Sequence, residues 1–245
     1  MRINVFICAL SLLIAGASAN AAADVPAGQY TFDQGWKFRL CSDRNEVQSL
    51  VKSSGEADFR PVQIPHDWSV ELPFEAKAGG SAGYLPGGLG LYVKEFTLPA
   101  SIADARRISL VFDGVYHKAT VWLNGHLLGK HDYGYTDFTF DLSGCLKRKG
   151  VNRLVVFVDM EQQSRWYTGA GIYRHVWLKT SGRVHLRHNG LWVKPSVDGN
   201  VEITAQVDGG GRYRLQHTVY GPDGELIAST LPSRASSMAP PPVET

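Results

Sequence analysis

Residues 118–131 read KATVWLNGHLLGKH. Lys118–Leu123 has the composition of a strand, Asn124-Gly125 follows, and Leu127–His131 returns. Asn-Gly supplies the two positive φ values of a type I′ turn, so the stretch predicts a β-hairpin with a two-residue loop. The same grain continues on both sides. Upstream, Trp36–Leu40 and Gly90–Leu98 alternate large apolar with polar residues, and Arg107–Phe112 is a β-rich run ending in a turn at Asp113-Gly114. Downstream, Asp137–Leu142 alternates, and Arg153–Val158 is a continuous apolar run that predicts a strand buried on both faces. Val176–Lys179 and Arg183–Arg187 complete this half. One segment breaks the pattern: in Asp43–Lys52, Val47, Leu50 and Val51 share a helical face. Many short strands at this spacing predict an all-β fold built on a β-sandwich.

The character shifts after about Gly182. Leu191–Lys194, Val201–Val207, Arg212–Tyr220 and Leu226–Ser229 read as strands, separated by turns at Asp198-Gly199-Asn200, Gly209-Gly210-Gly211 and Pro222-Asp223-Gly224. An immunoglobulin-like sandwich needs about seven strands, so the four here predict part of one. Residues 232–245 are small, polar and rich in proline, and are expected to be a disordered tail. A half-built domain followed by such a tail reads as a frame that stops early.

Composition bounds the class. The 245 residues carry a net charge of +2, with 44% hydrophobic and 20% charged residues, which excludes wholesale disorder. No Lys/Arg cluster is dense enough to track phosphates, so nucleic acid is not an expected partner. At the N-terminus Arg2 precedes an apolar run from Val5 to Gly16, and Ala17-Ser18-Ala19 is a small-x-small cleavage site. The run falls short of the roughly 20 residues a membrane helix requires. It reads as a signal peptide over residues 1–19, with a short membrane anchor as the alternative. No later segment is apolar enough to cross a membrane, so the mature chain is expected to be secreted or periplasmic.

Cys41 and Cys145 then remain, 104 positions apart; an exported protein leaves both a disulfide and two buried thiols open. The spacing suits neither a zinc site nor a redox pair. His185 and His188 point to opposite faces of a strand. Neither a metal site nor a cofactor is expected.

Six segments, in order, carry a resemblance. They are IPHDW (64–68); GGLGLYVKEF (87–96); FDGV (112–115) with ATVWLNG (119–125) and LGKH (128–131); GYTDF (134–138) with Asp141-Leu142; NRLVV (152–156) with Val158-Asp159; and RWYTGAGIYRHVWL (165–178). Together they resemble the N-terminal region of family 2 glycoside hydrolases, the β-galactosidase and β-glucuronidase family. The resemblance implies a jelly-roll, galactose-binding-like β-sandwich over residues 24–182, then a partial immunoglobulin-like β-sandwich over 183–231.

The resemblance also singles out candidate substrate-binding residues: Asp67, Trp68, Arg165, Trp166 and Tyr167. Aromatic faces bind the C–H surfaces of sugars, and charged or amide groups bind their hydroxyls. In relatives the 165–171 loop lies near the active site of the barrel that follows. A direct substrate contact and a purely interdomain role are both open. Gly169, Ala170 and Gly171 leave little bulk, so this backbone can approach a partner closely or turn sharply. Asp67 could accept from sugar hydroxyls or fix a turn after Pro65. Trp122 reads as core, and Asp141 as a turn residue. Several relatives carry Asp where Arg165 stands. A carboxylate only accepts and a guanidinium only donates, so galactose specificity and a sodium site do not transfer.

A retaining glycosidase needs two carboxyl groups about 5–5.5 Å apart. In this family both are glutamates of a (β/α)₈ barrel, which takes roughly 250 residues by itself. None of the glutamates after the signal sits in the family's Asn-Glu motif, except Glu46 of Asn45-Glu46, which precedes most of the strands and reads as chance. No nucleophile elbow, P-loop or dinucleotide fingerprint occurs. No catalytic residue is therefore assigned. The expectation is an N-terminal, non-catalytic portion of an exported family 2 glycoside hydrolase, whose parent activity is hydrolysis of terminal β-glycosides, foremost β-galactosides. The expected partners are carbohydrate and the missing barrel, in cis or in trans. The alternatives are a self-standing carbohydrate-binding module and a fragment complementing a chain that carries the barrel.

Overall fold

Alternating apolar side chains make strands, and strands need a layer on each apolar face. A computed structural model of the chain describes residues 8–15, 27–53, 58–161, 166–230 and 233–237. In chain order the elements begin with β1 (Cys8–Ala15), β2 (Gly28–Thr31), β3 (Trp36–Cys41), α1 (Arg44–Lys52), β4 (Arg60–Val62), β5 (Gly88–Phe96) and α2 (Ala100–Ala103). They continue with β6 (Arg107–Phe112), β7 (Ala119–Leu123), β8 (His126–His131), β9 (Phe138–Asp141), β10 (Asn152–Met160) and β11 (Val176–Ser181). The last are β12 (His185–Pro195), β13 (Val201–Asp208), β14 (Gly211–Tyr220), β15 (Leu226–Ser229) and β16 (Ser233–Ser237). Two compact units result: residues 25–180, and the described residues of 1–24 and 181–245.

The larger unit is an antiparallel jelly-roll sandwich. A six-stranded sheet in the order β4-β3-β5-β10-β7-β8 lies against a four-stranded sheet, β2-β11-β6-β9. Trp36, Tyr92, Leu110, Phe112, Leu123, Leu154 and Ile172 belong to one continuous core. The hairpin forms as the sequence predicts: Asn124 and Gly125 take φ 52° and 84°. Asn124 also pins the turn to its neighbours. Its side chain donates to the Cys145 carbonyl and to Asn152 Oδ1, both at 2.8 Å, and accepts from Arg153 N–H at 3.0 Å.

The segment 43–52 is helical as expected. Asp43 caps α1 by accepting from the backbone N–H of Asn45 and Glu46 at 2.7 and 2.9 Å. At the other end Arg153 donates to the carbonyls of Leu50 and Val51 at 3.2 and 3.3 Å, which satisfies acceptors a helix terminus leaves open. α1 lays Val47, Leu50 and Val51 over Leu89, Leu91, Val93 and Val155 on the outer face of the six-stranded sheet. That second apolar layer is why β10 reads as a continuous apolar run, and why β5, which reads as alternating, is buried on both faces over most of its length. Trp122 packs into it as well.

In the smaller unit β12 pairs with β13, and β14 pairs with β1, β15 and β16. These are strands of a partial immunoglobulin-like sandwich. The strands differ from the sequence reading in four places. Arg183–Arg187 and Leu191–Lys194 form one strand, β12, with a register shift between Leu186 and Leu191. Gly190 and Asn189, the latter at φ 55°, absorb the irregularity. The stretch from 232, read as a disordered tail, contains β16, which pairs with β14 from Ser233 opposite Leu215 to Ser237 opposite Gly211. Backbone pairing needs no apolar side chains, so composition alone hides such a strand; residues 238–245 lie outside the described residues. The apolar run near the N-terminus contains β1, paired with β14 from Cys8 opposite Tyr220 to Ala15 opposite Tyr213. Eight residues, seven of them apolar, are of strand length. Short strands β2 and β4 carry too few residues to register as alternation.

Cys41 and Cys145 are both free thiols. Burial, foremost, pushes the Cys41 thiol up to about 11, with Glu46 adding to the shift. Among the described residues no helix is long and apolar enough to cross a membrane.

Candidate functional site

The motif 64–68 and the loop 166–173 meet through their backbones. His66 N–H donates to the Ile172 carbonyl at 2.8 Å and Trp68 N–H to the Ala170 carbonyl at 3.2 Å. On the other side Gly171 and Tyr116 exchange two bonds, at 2.8 and 2.9 Å. The loop is thus stitched between two segments as a short sheet would be. Gly171 makes this geometry accessible. Its φ is +116°, and a Cβ there would overlap the Tyr92 hydroxyl and lie 2.9 Å from the His66 carbonyl oxygen. Both uses of small residues in this loop hold at Gly171: a positive φ and a close approach.

Asp67 sits at the junction. Its Oδ1 accepts from Ser69 N–H at 3.0 Å, the turn after Pro65. The same oxygen accepts from Ala170 N–H at 3.1 Å, while Oδ2 accepts from the Tyr167 hydroxyl. The carboxylate therefore latches the loop to the motif. Burial first, and Asp67 second, hold the Tyr167 hydroxyl well above the usual phenol range.

Beneath Asp67, His66 is 8% exposed. Its Nδ1 lies 2.7 Å from the Tyr92 hydroxyl. Its Nε2 lies 3.2 Å from Arg60 and 3.3 Å from Glu71. Burial lowers the His66 pKa from 6.5, against the opposing pull of Glu71. Burial also raises that of Tyr92. This group supports the latch from inside.

The candidates named from sequence fall in three places. Asp67 and Tyr167 are joined directly. Trp166 is 58% exposed, and its indole N–H donates to the Tyr135 hydroxyl at 3.3 Å. Trp68 is in the core, 1% exposed, stacked on Phe38 at 5.4 Å with its ring over Gly90. It presents no face to a ligand, because its ring is packed on Phe38 and against Gly90 inside the sandwich. Arg165 lies outside the described residues. Tyr135 was not among the candidates; thirty-one positions separate it from Trp166, and only the fold brings them together. Among the described residues no group of three or more His, Cys, Asp or Glu is gathered as a metal would require.

Three comparisons bear on this arrangement. The family model described as glycosyl hydrolases family 2, sugar binding domain, matches residues 31–182. The β-galactosidase BoGH2A of Bacteroides ovatus is 39% identical over 186 residues, covering 74% of this chain and 21% of that protein. Among solved structures, a β-glycosidase from Bacteroides vulgatus superposes with a TM-score of 0.73 at 30% identity, over 82% of this chain and 27% of that one. A calcium-binding mutant of Bacteroides uniformis β-glucuronidase 2 gives 0.73 at 25%, over 87% and 27%. The chain spans about a fifth of the length of the curated relatives it matches.

Proposed function

The chain belongs to glycoside hydrolase family 2, and from that premise we propose that it is the sugar-binding, non-catalytic portion of an exported enzyme that hydrolyses terminal β-glycosides. β-Galactosides are the foremost substrate class, supported by the name of the Bacteroides ovatus relative. β-Glucuronides are the second, supported by the solved Bacteroides uniformis enzyme. The carrying observation is the Asp67 latch, which holds Tyr167 and the partly exposed Trp166 on one pinned loop. Such a loop can present two polar-tipped rings to a sugar held by a neighbouring catalytic barrel, in cis or in trans. Export rests on Arg2, the apolar run and Ala17-Ser18-Ala19. Chain expressed in a bacterium and recovered outside the cytoplasm then begins near Asn20, which N-terminal sequencing reads.

The test has two arms. The purified chain is assayed alone on nitrophenyl β-galactoside and β-glucuronide, with no turnover expected. Residues 31–182 are then exchanged into the Bacteroides ovatus β-galactosidase. The hybrid is expected to hydrolyse the galactoside, and Tyr167→Ala in it to lower kcat/KM by about tenfold or more. Heat-labile turnover by the chain alone refutes the non-catalytic reading. A folded hybrid indifferent to Tyr167→Ala refutes the role of the loop. A self-standing carbohydrate-binding module is the second reading, favoured by the exposed rings of Tyr133, Tyr135 and Trp166.

A further inference from the structure

Tyr133, Tyr135 and Trp166 are 59%, 46% and 58% exposed. Large apolar residues scattered singly on a surface need no explanation, but these three form a connected series. Tyr133 and Tyr135 meet edge-on with ring centroids 5.7 Å apart, and Trp166 is joined to the Tyr135 hydroxyl. The middle of the series is also held in place. Tyr116, 7% exposed, meets Tyr135 edge-on at 5.4 Å from below. The Tyr173 hydroxyl donates to the Gly134 carbonyl at 2.8 Å and ties down the turn between the two tyrosines. Gly134 lies so close over the Tyr116 ring that a Cβ there would overlap it. The Tyr135 ring and the turn at Gly134 are therefore ordered before anything binds, which lowers the side-chain entropy to be lost there.

We propose that Tyr133, Tyr135 and Trp166 form a stacking platform for a pyranose-containing saccharide, distinct from the Asp67–Tyr167 latch. A pyranose ring offers an apolar C–H face and a rim of hydroxyls. Aromatic faces carry negative charge density and suit the first, and tyrosine hydroxyls suit the second. Apolar bodies with polar tips, in a row, match a sugar better than they match a hydrophobic peptide face. The choice of carbohydrate rests on the family reading above, in a domain that matches a sugar-binding model over residues 31–182. The platform adds Tyr133 and Tyr135, and it assigns Trp166 to the same surface.

The experiment titrates the full chain with methyl β-D-galactopyranoside, lactose and cellotetraose, by calorimetry and by the indole N–H resonance of Trp166, up to about 20 mM, a range that captures weak sites. At least one saccharide is expected to shift that resonance. Tyr133→Ala, Tyr135→Ala and Trp166→Ala should each weaken binding about three- to tenfold, the loss of one ring contact. All three side chains are exposed, so fold retention is checked by circular dichroism. Trp192→Ala, in the other unit, should change nothing. Binding indifferent to Tyr133→Ala and Tyr135→Ala overturns the platform, and so does the absence of any response to the three saccharides. Neither result touches the hybrid-enzyme assay, which reads the family-level function separately.

Discussion

β5 and β10 pair over nine residues, Gly88 to Phe96 against Met160 to Asn152, and β12 and β13 form a comparable antiparallel ladder with one irregularity. The two pairs differ in what lies on their faces. Leu91, Val93, Val156 and Val158 are fully buried, whereas Trp192 is 53% exposed and Val193 37%. The first pair has the four-stranded sheet on one side and α1 on the other. Among the described residues after Ser181, Val219 is the one buried apolar side chain. Alternation makes a strand in either place, but stability comes from the layer that covers it.

The largest expected effect tests that contrast directly. Leu110→Ala in the fully buried core should cost about 2–5 kcal/mol, while Leu226→Ala on β15, 62% exposed, should stay within about 0.5 kcal/mol. Chemical denaturation of both variants measures the difference, and equal losses would dissolve the distinction. Gly171→Ala comes next. A strained φ together with the overlap on Tyr92 predicts a loss of about 2–3 kcal/mol, seen as a melting temperature lower by about 4–12 °C. Gly199→Ala, also at positive φ but with open space around its Cβ, should cost about 1 kcal/mol.

A smaller effect is pH-dependent and belongs to the larger unit. The folded pKa of His66 lies below its ordinary 6.5 because burial favours the neutral ring. Its contribution is complete above pH 6.5 and is lost as pH falls from there toward the folded value, since the unfolded chain binds the proton first. Melting curves from pH 8 to pH 5 should therefore fall less steeply for His66→Gln than for the parent chain. The mildest signature is kinetic. Amide exchange should be slowest in β5 and β10 and fastest in β15, where all four residues are exposed.

Much of the fold was legible because its signals are local. Asn124-Gly125 names its turn, Asp43 and the spacing of Val47, Leu50 and Val51 name α1, and the run from Arg153 to Val158 announces burial on both faces. The exceptions have physical reasons. β2 and β4 are too short for periodicity, β16 is polar, and β12 carries a bulge that interrupts its pattern. The site was legible in part. Asp67 and Tyr167 were singled out, but their hydrogen bond spans a hundred positions. Trp68 was misplaced because an aromatic beside a charged residue reads as surface until the Phe38 ring and Gly90 are seen against it. The aromatic row at Tyr133 and Tyr135 depends on Tyr116 and Tyr173 from elsewhere in the chain, which no single stretch reveals.

The helix α1 has a consequence for recognition. With its carbonyl end tied to Arg153 and its apolar side spread over β5 and β10, it covers the middle of the six-stranded sheet on the face turned away from the sandwich. Both faces of β5 and β10 are thereby packed within the domain itself. The two central strands are closed to any ligand, and variation in the turns and loops that join the strands can change what is bound without disturbing the scaffold that carries them.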